Sequence, residues 1–281
     1  MTRLDRSPAR AALAAAAVAL AGGSPGLADA TPSLLVPGSF VYGCGGHGNG
    51  NGYSGISLEK SFVPGEYKCK EQSVTPDGGA ASARASYTGP TGGTAGGGGK
   101  AKYGAVQTQS DDATFGTEGG RAVSGFVDGW TLTAPGHATG ERLTVFVQFK
   151  VHGHLEGHGP VAREKMFAEL FFKGSGAAFK TWSLASDVSH QDVSLDVDET
   201  VPLSFTAQFG LPFQLATVLG AESGALTSGT LNTGQVLGKP RGLTWGGILA
   251  VYDQAGNPVA DWSLATDSGV DWRQACPCQV P

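Results

Sequence analysis

Leu143, Val145, Val147, Phe149 and Val151 alternate with Thr144, Gln148, Lys150 and His152. Side chains of an extended chain point alternately to opposite faces, so this period of two predicts a strand with one face buried. Val201, Leu203, Phe205, Ala207 and Phe209 alternate with Pro202, Ser204, Thr206 and Gln208 in the same way. Met166 to Lys173, Phe179 to Leu184 and Leu243 to Tyr252 predict further strands. Arg163 to Phe172 has helical propensity too, but its aromatic enrichment and the nearby glycines favour strand. Turn residues from Tyr252 to Asn257 predict a hairpin whose second arm is Val259 to Thr266. Weaker alternation marks Ala80 to Tyr87 and Lys100 to Val106, on either side of the run Gly96 to Gly99. No long amphipathic helix and no tandem repeat follows residue 30. The expectation is an all-β, antiparallel β-sandwich of jelly-roll-like form over residues 80–275.

Residues 31–79 read as an irregular Gly-rich segment, with a short hairpin of Phe62, Val63, Tyr67 and Cys69 around Pro64-Gly65. The glycines at Gly43 to Gly55 and Gly92 to Gly99 read as long loops, since glycine permits almost any backbone conformation. They open no helix, so they are not phosphate cradles. Glycine numbers 45 in 281 residues, against roughly 7% of an average protein. Charged residues make up 15%, below the roughly 25% that is usual. Both fit an extracellular β-protein better than a cytosolic helical enzyme. The formal net charge of −5 makes nucleic acid an unfavourable partner.

The first thirty residues have the three parts of a secretory signal. Arg3, Arg6 and Arg10 precede the apolar stretch Ala11 to Ala21, and Ala28-Asp29-Ala30 is a small-x-small cleavage site. Eleven apolar residues are too few for a membrane span, which needs about 20. The mature chain is therefore expected to begin after Ala30, to be secreted or periplasmic, and to hold no membrane span.

Export permits disulfides, and Cys44, Cys69, Cys276 and Cys278 make an even set. A Cys276–Cys278 bond closes a very short ring around Pro277. Cross-pairing of the Cys-Pro-Cys tail (276–281) with Cys44 and Cys69 is therefore slightly favoured. The rival is Cys44–Cys69 alone, with the tail pair free or bonded together.

Trp245-Gly246-Gly247-Ile248, Val251-Tyr252-Asp253, Gly256-Asn257-Pro258-Val259, Asp261-Trp262, Ser268-Gly269 and Asp271-Trp272 form a closing pattern. It resembles that of bacterial exported β-sandwich proteins of the PEP-CTERM-associated type, which are mostly uncharacterised. The resemblance covers about Ala80 to Trp272 and implies export and a place in extracellular polymer or biofilm matrix rather than a reaction. The sorting tail of that type, Pro-Glu-Pro followed by an apolar span and a basic end, is not matched. Val280-Pro281 is either the stub of such a motif or chance, so tail-based sorting is not carried over.

Among chemical constellations, His152, His154, Glu156 and His158 share one face if the strand continues through them. Imidazoles at i and i+2 can bind one zinc or iron ion. The bland alternative is a solvated strand face. The cupin pattern, which the His-x-His brings to mind, fails at Phe146 and at His158-Gly159. Asp187, Asp192, Asp196, Asp198 and Glu199 cluster, as do Asp253, Asp261, Asp267 and Asp271, but no spacing matches a calcium loop. Solvated turn acids are the default, and the expectation is no cofactor, with zinc or calcium as the exceptions to test. Trp245, Trp262 and Trp272, if exposed, would form a platform for sugar rings; if buried, they are core. No Gly-x-Ser-x-Gly, Gly-x-x-x-x-Gly-Lys-Ser/Thr or His-Glu-x-x-His occurs. The expectation is a secreted non-enzymatic structural or interaction protein of the bacterial surface or extracellular matrix. Its alternatives are an extracellular polysaccharide-binding module and a His-x-His metal-binding protein. Polysaccharide or surface proteins are the expected partners.

Overall fold

A computed structural model describes residues 37–48, 62–75, 79–90, 92–114, 118–158, 162–173, 178–189, 193–225 and 232–276. The expected signal peptide and cleavage site, Asn49 to Gly55, and the tail from Pro277 onward lie outside them. Thirteen strands follow in order: β1 (Gly38–Gly48), β2 (Phe62–Val74), β3 (Ala81–Thr88), β4 (Thr94–Lys102), β5 (Ala105–Thr114), β6 (Glu118–Thr133), β7 (Arg142–His158), β8 (Ala162–Lys173), β9 (Ala178–Ser189), β10 (Val193–Gln208), β11 (Phe213–Ala225), β12 (Asn232–Asp253) and β13 (Ser263–Thr266). No helix occurs among the described residues.

The strands form two antiparallel sheets. One runs β2-β1-β6-β11-β8-β9, with β13 also paired to β6; the other runs β10-β7-β12-β5-β4-β3. They lie face to face, β1 against β4, β6 against β4 and β5, and β8 against β12. This is the all-β sandwich that the alternation predicts. In β7 the predicted pattern is reproduced residue by residue: Leu143, Val145, Val147, Phe149 and Val151 are buried, and the residues between them are not.

The core has two unlike halves. Toward one end it is aromatic: Trp130 meets Trp245 edge-on at 5.7 Å, and Phe205, Phe213 and Phe172 pack around them. Toward the other end it is nearly devoid of side chains. A Cβ built on Gly97 would lie 2.5 Å from the Arg121 carbonyl carbon and 2.9 Å from the Cys44 carbonyl oxygen. One on Gly120 would lie 2.7 Å from the Asp111 carbonyl oxygen. Packed sheets are ordinarily about 10 Å apart; here the backbones themselves touch.

Several expectations are thereby corrected. Gly43 to Gly48 belong to β1 and Gly96 to Gly99 to β4, not to loops. The described parts of 31–79 are strands β1 and β2, and Pro64-Gly65 lies within the single strand β2 rather than at a hairpin tip. Glycine composition misleads here because the same lack of side chain that suits a loop also suits two sheets in backbone contact.

The predicted C-terminal hairpin is half formed. Tyr252 bridges Pro258, and the Val259 N–H donates to the Val251 carbonyl at 2.9 Å. The chain then leaves for the opposite sheet, where Ser263 to Thr266 pair with Thr133 to Trp130 of β6.

The cysteine pairing is also corrected. Cys44 and Cys69 face each other directly across β1 and β2, with Cα atoms 4.1 Å apart, and are bonded to each other. The ladder register that makes them opposite partners leaves neither for the tail. Cys276 is in a disulfide of its own; Cys278 lies outside the described residues. Cys44 is fully buried, within a second apolar cluster of Phe40, Phe62, Val123, Phe167 and Val218 on the far face of the β6 sheet. A buried disulfide points to folding in an oxidising environment. Among the described residues no helix is long and apolar enough to cross a membrane.

Candidate functional site

The alternation of β7 continues to its end. Val151 and Leu155 point into the core, which sends His152, His154, Glu156 and His158 to the outer face. The neighbouring strand β10 is the edge of its sheet. Its register sets Asp198 opposite His152 and Asp196 opposite His154. His152 Nδ1 lies 2.8 Å from Asp198 Oδ1, and His154 Nδ1 lies 2.7 Å from Asp196 Oδ1. Farther along, His154 Nε2 is 4.0 Å from Glu156 Oε2, while His158 Nε2 is 3.0 Å from Glu156 Oε1. The two sequence clusters considered separately, the histidines and the acids near Val197, are thus one surface. On the other side of β7, the pairing with β12 shifts register between Leu237 and Gly242, opposite His154 and His152.

The chemistry of these pairs is definite. A carboxylate only accepts hydrogen bonds, so each Nδ1 donates and carries the ring proton. Each ring is thereby oriented with its Nε2 turned away from the Asp carboxylate. A carboxylate on one imidazole nitrogen is the usual support for a histidine whose other nitrogen binds a metal. Among the described residues, however, no three His, Cys, Asp or Glu side chains surround a common point in a form ready to hold an ion.

The other candidates fare differently. Trp245 and Trp272 are each only 1% exposed. The Trp245 indole N–H donates to the Trp272 carbonyl at 2.8 Å, and the Trp272 ring stacks on Phe126 at 5.1 Å. They are core residues, and with Trp262 half-buried no three-tryptophan sugar platform is assembled. The acids of the last segment serve local structure. Asp253 accepts from the Asn257 backbone and amide N–H groups at 2.8 and 3.0 Å, which holds its carboxyl below the usual range. Asp271 pairs with Arg273 at 2.8 Å, with the same effect. Asp267 is backed by Gly129, whose carbonyl accepts from the Asp267 N–H at 2.9 Å.

No family model matches the chain, and no curated protein does. Two solved structures share faint likeness. The structure of infectious bursal disease virus Gx strain aligns at 11% identity over 82% of this chain and 60% of its own, with a TM-score of 0.17. The D431N mutant VP2 protein of infectious bursal disease virus, in T=1 particles, aligns at 12% identity over 83% and 62%, with a TM-score of 0.14. The chain spans about three-fifths of the length of these proteins. Neither likeness carries an argument.

Five buried carboxyls among the described residues escape the sequence reading: Asp112, Glu118, Asp128, Glu169 and Glu222. Asp112 of β5 lies between the sheets, 5% exposed. Burial and the adjacent Asp111 push its carboxyl up to about 8, and the Ser223 hydroxyl opposes this only in part. Asp128 of β6 is 1% exposed. Burial raises its carboxyl, against hydrogen bonds from the Ser268 hydroxyl and from the Trp272 indole N–H at 2.6 Å. Glu169 of β8 is likewise 1% exposed. The parity of Val106 in β5, carried forward through Thr108 and Ser110, would have placed Asp112 inside. Nothing local marks Asp128 as the anchor of a segment 140 residues away. Glu222 is paired with the equally buried Arg121 guanidinium at 2.9 Å across β6 and β11.

Proposed function

We propose that this chain is an exported, non-enzymatic structural or interaction component of the bacterial surface or extracellular matrix, of the PEP-CTERM-associated type that its last strands resemble. The Cys44–Cys69 bond is the observation that carries the reading. It ties the edge strand β2 to the sheet interior from a fully buried position, which suits a protein that folds after leaving the reducing cytosol. The N-terminal pattern ending at Ala30 supplies the route. Two of the four edge strands support a surface role without self-association: β2 displays Lys68, Lys70 and Glu71, and β10 displays Asp196 and Asp198. Charges on an edge discourage pairing with a second copy. The partners in this reading are extracellular polysaccharide or other surface proteins.

The test is fractionation of producing cells with mass analysis of the mature chain. Expected are an N-terminus at Thr31, recovery outside the cytoplasm, and Cys44 and Cys69 resistant to alkylation before reduction. Deletion of the gene is expected to alter matrix or adhesion. Retention of the leader in a cytosolic, fully reduced protein would overturn the proposal.

A further inference from the structure

We propose that the outer face of β7 is a binding site for a divalent transition-metal ion, with the neighbouring His154 and Glu156 as two ligands, His158 as the third, and Asp196 as the carboxylate that orients His154. The site does not depend on the chain's location or on the matrix role.

Four observations converge. Asp196 holds His154 through Nδ1 at 2.7 Å, so the ring is oriented with Nε2 as its outward nitrogen. That Nε2 faces Glu156 Oε2 across 4.0 Å. Zinc–nitrogen and zinc–oxygen bonds are each about 2.0 to 2.2 Å, which at a tetrahedral angle puts the two ligand atoms about 3.3 Å apart, so the exposed Glu156 tip must close on His154 by roughly 0.7 Å to share an ion with it. The other Glu156 oxygen already holds His158 Nε2 at 3.0 Å. His158 ends its strand with its side chain 52% exposed; its Nε2 donates to Glu156, so it joins the ion by turning the ring to offer Nδ1. Three ligands therefore converge only when the His154–Glu156 gap closes and His158 turns. Two imidazoles and one carboxylate leave the fourth position of a tetrahedral ion to water, and this donor set suits zinc or copper rather than calcium, which takes oxygen.

His152 and Asp198 repeat the oriented pair one step back along the strands, at 2.8 Å. Glu156 lies four residues from His152 but two from His154. The proposal therefore assigns His152 no bond to the ion.

Titration of the purified, disulfide-intact protein with Zn2+ alone, followed by calorimetry, decides the matter. One ion per chain is expected. His154→Ala and Glu156→Gln should each weaken binding more than tenfold, His158→Ala should also weaken it, and Asp196→Asn should cost about tenfold through loss of orientation. His152→Ala should leave binding within about threefold of the parent, in keeping with a residue outside the metal's first contacts. All five side chains lie on the surface, so thermal unfolding without metal should be unchanged and separates lost binding from lost fold. No measurable uptake by the parent protein overturns the site. So does uptake that survives Glu156→Gln and Asp196→Asn yet falls equally with His152→Ala and His154→Ala, which would be simple chelation by the His-x-His pair.

Discussion

Gly97→Ala adds one methyl group to the chain where β4 meets β1 and β6. Its Cβ would fall 2.5 Å from the Arg121 carbonyl carbon and 2.9 Å from the Cys44 carbonyl oxygen, whereas ordinary contacts begin at 3.4 Å. Alanine has no rotamer with which to escape, and both obstacles are backbone atoms fixed in antiparallel ladders. The sheets must therefore part locally by about 1 Å, a gap that forfeits a quarter to a half of each dispersion contact around it. Gly43, Gly45, Gly99 and Gly120 share the same seam, so the loss spreads. Overpacking costs roughly 1 to 3 kcal/mol where side chains can yield; the unyielding partners here place Gly97→Ala at about 3 kcal/mol or above. For a domain of this size that lowers Tm by about 6 to 12 °C. Gly224→Ala is the matched control. Its new methyl group meets nothing closer than 3.4 Å, and replacing a strand glycine restricts the unfolded chain, so stability should hold or rise slightly. Urea unfolding of both variants beside the parent tests the seam. Equal midpoints for Gly97→Ala and Gly224→Ala would refute backbone contact between the sheets.

Three further outcomes follow from the interior. The Asp112 carboxyl ionises near 3.8 when unfolded and near 8 when folded, so between those values the folded state alone retains the proton. Stability should be full in acid and fall as pH rises toward 8, by a total on the order of 5 kcal/mol; Asp112→Asn should flatten this slope in urea midpoints taken at several pH values, and a parent protein with no slope would count against the burial. Asp128→Ala removes the acceptor shared by Ser268 and Trp272 and should cost about 3 kcal/mol, since buried donors lose bonds to a charged partner; limited proteolysis should then cut first beyond Val259, and an unchanged digest would sink this account. Reduction of Cys44–Cys69, which closes a loop of 25 residues, should lower stability by about 3 kcal/mol; coincident unfolding curves with and without reductant would show that the bond does not restrain the unfolded chain.

What was legible in the sequence follows from whether a side chain reports its own environment. The apolar residues of β7 and β10 do, because period-two alternation is both the cause of one-sided burial and its visible trace. Leu243 and Trp245 carry the same parity into β12, so the burial of that tryptophan was readable, and the sugar platform could have been doubted from it. The histidine face was readable for the same reason. Its partners were not: Asp196 and Asp198 meet His154 and His152 only because β8 and β9 cross to the other sheet before β10 returns beside β7. The glycine strands were illegible in principle. A residue without a side chain leaves no parity, and composition alone assigns it to a loop.

The seam and the outer histidine face are two consequences of one asymmetry. Where the layers are glycine, the sheets touch through backbone and there is no room for side chains to shift; what polar groups lie near it, Asp112 among them, are locked. Where the layers are aromatic, the spacing is set by large rings, and β10 and β7 form the side of their sheet away from the glycine strand β4. Their inward residues are fixed by the core, which fixes the outward ones by parity. An exposed His-Asp ladder on such strands is held at its base even though its tips are in solvent. That is why the surface of β7 can hold two candidate ligands within 4.0 Å of each other without a pocket to enclose them, and why substitutions at its tips should alter metal uptake while leaving the sandwich intact.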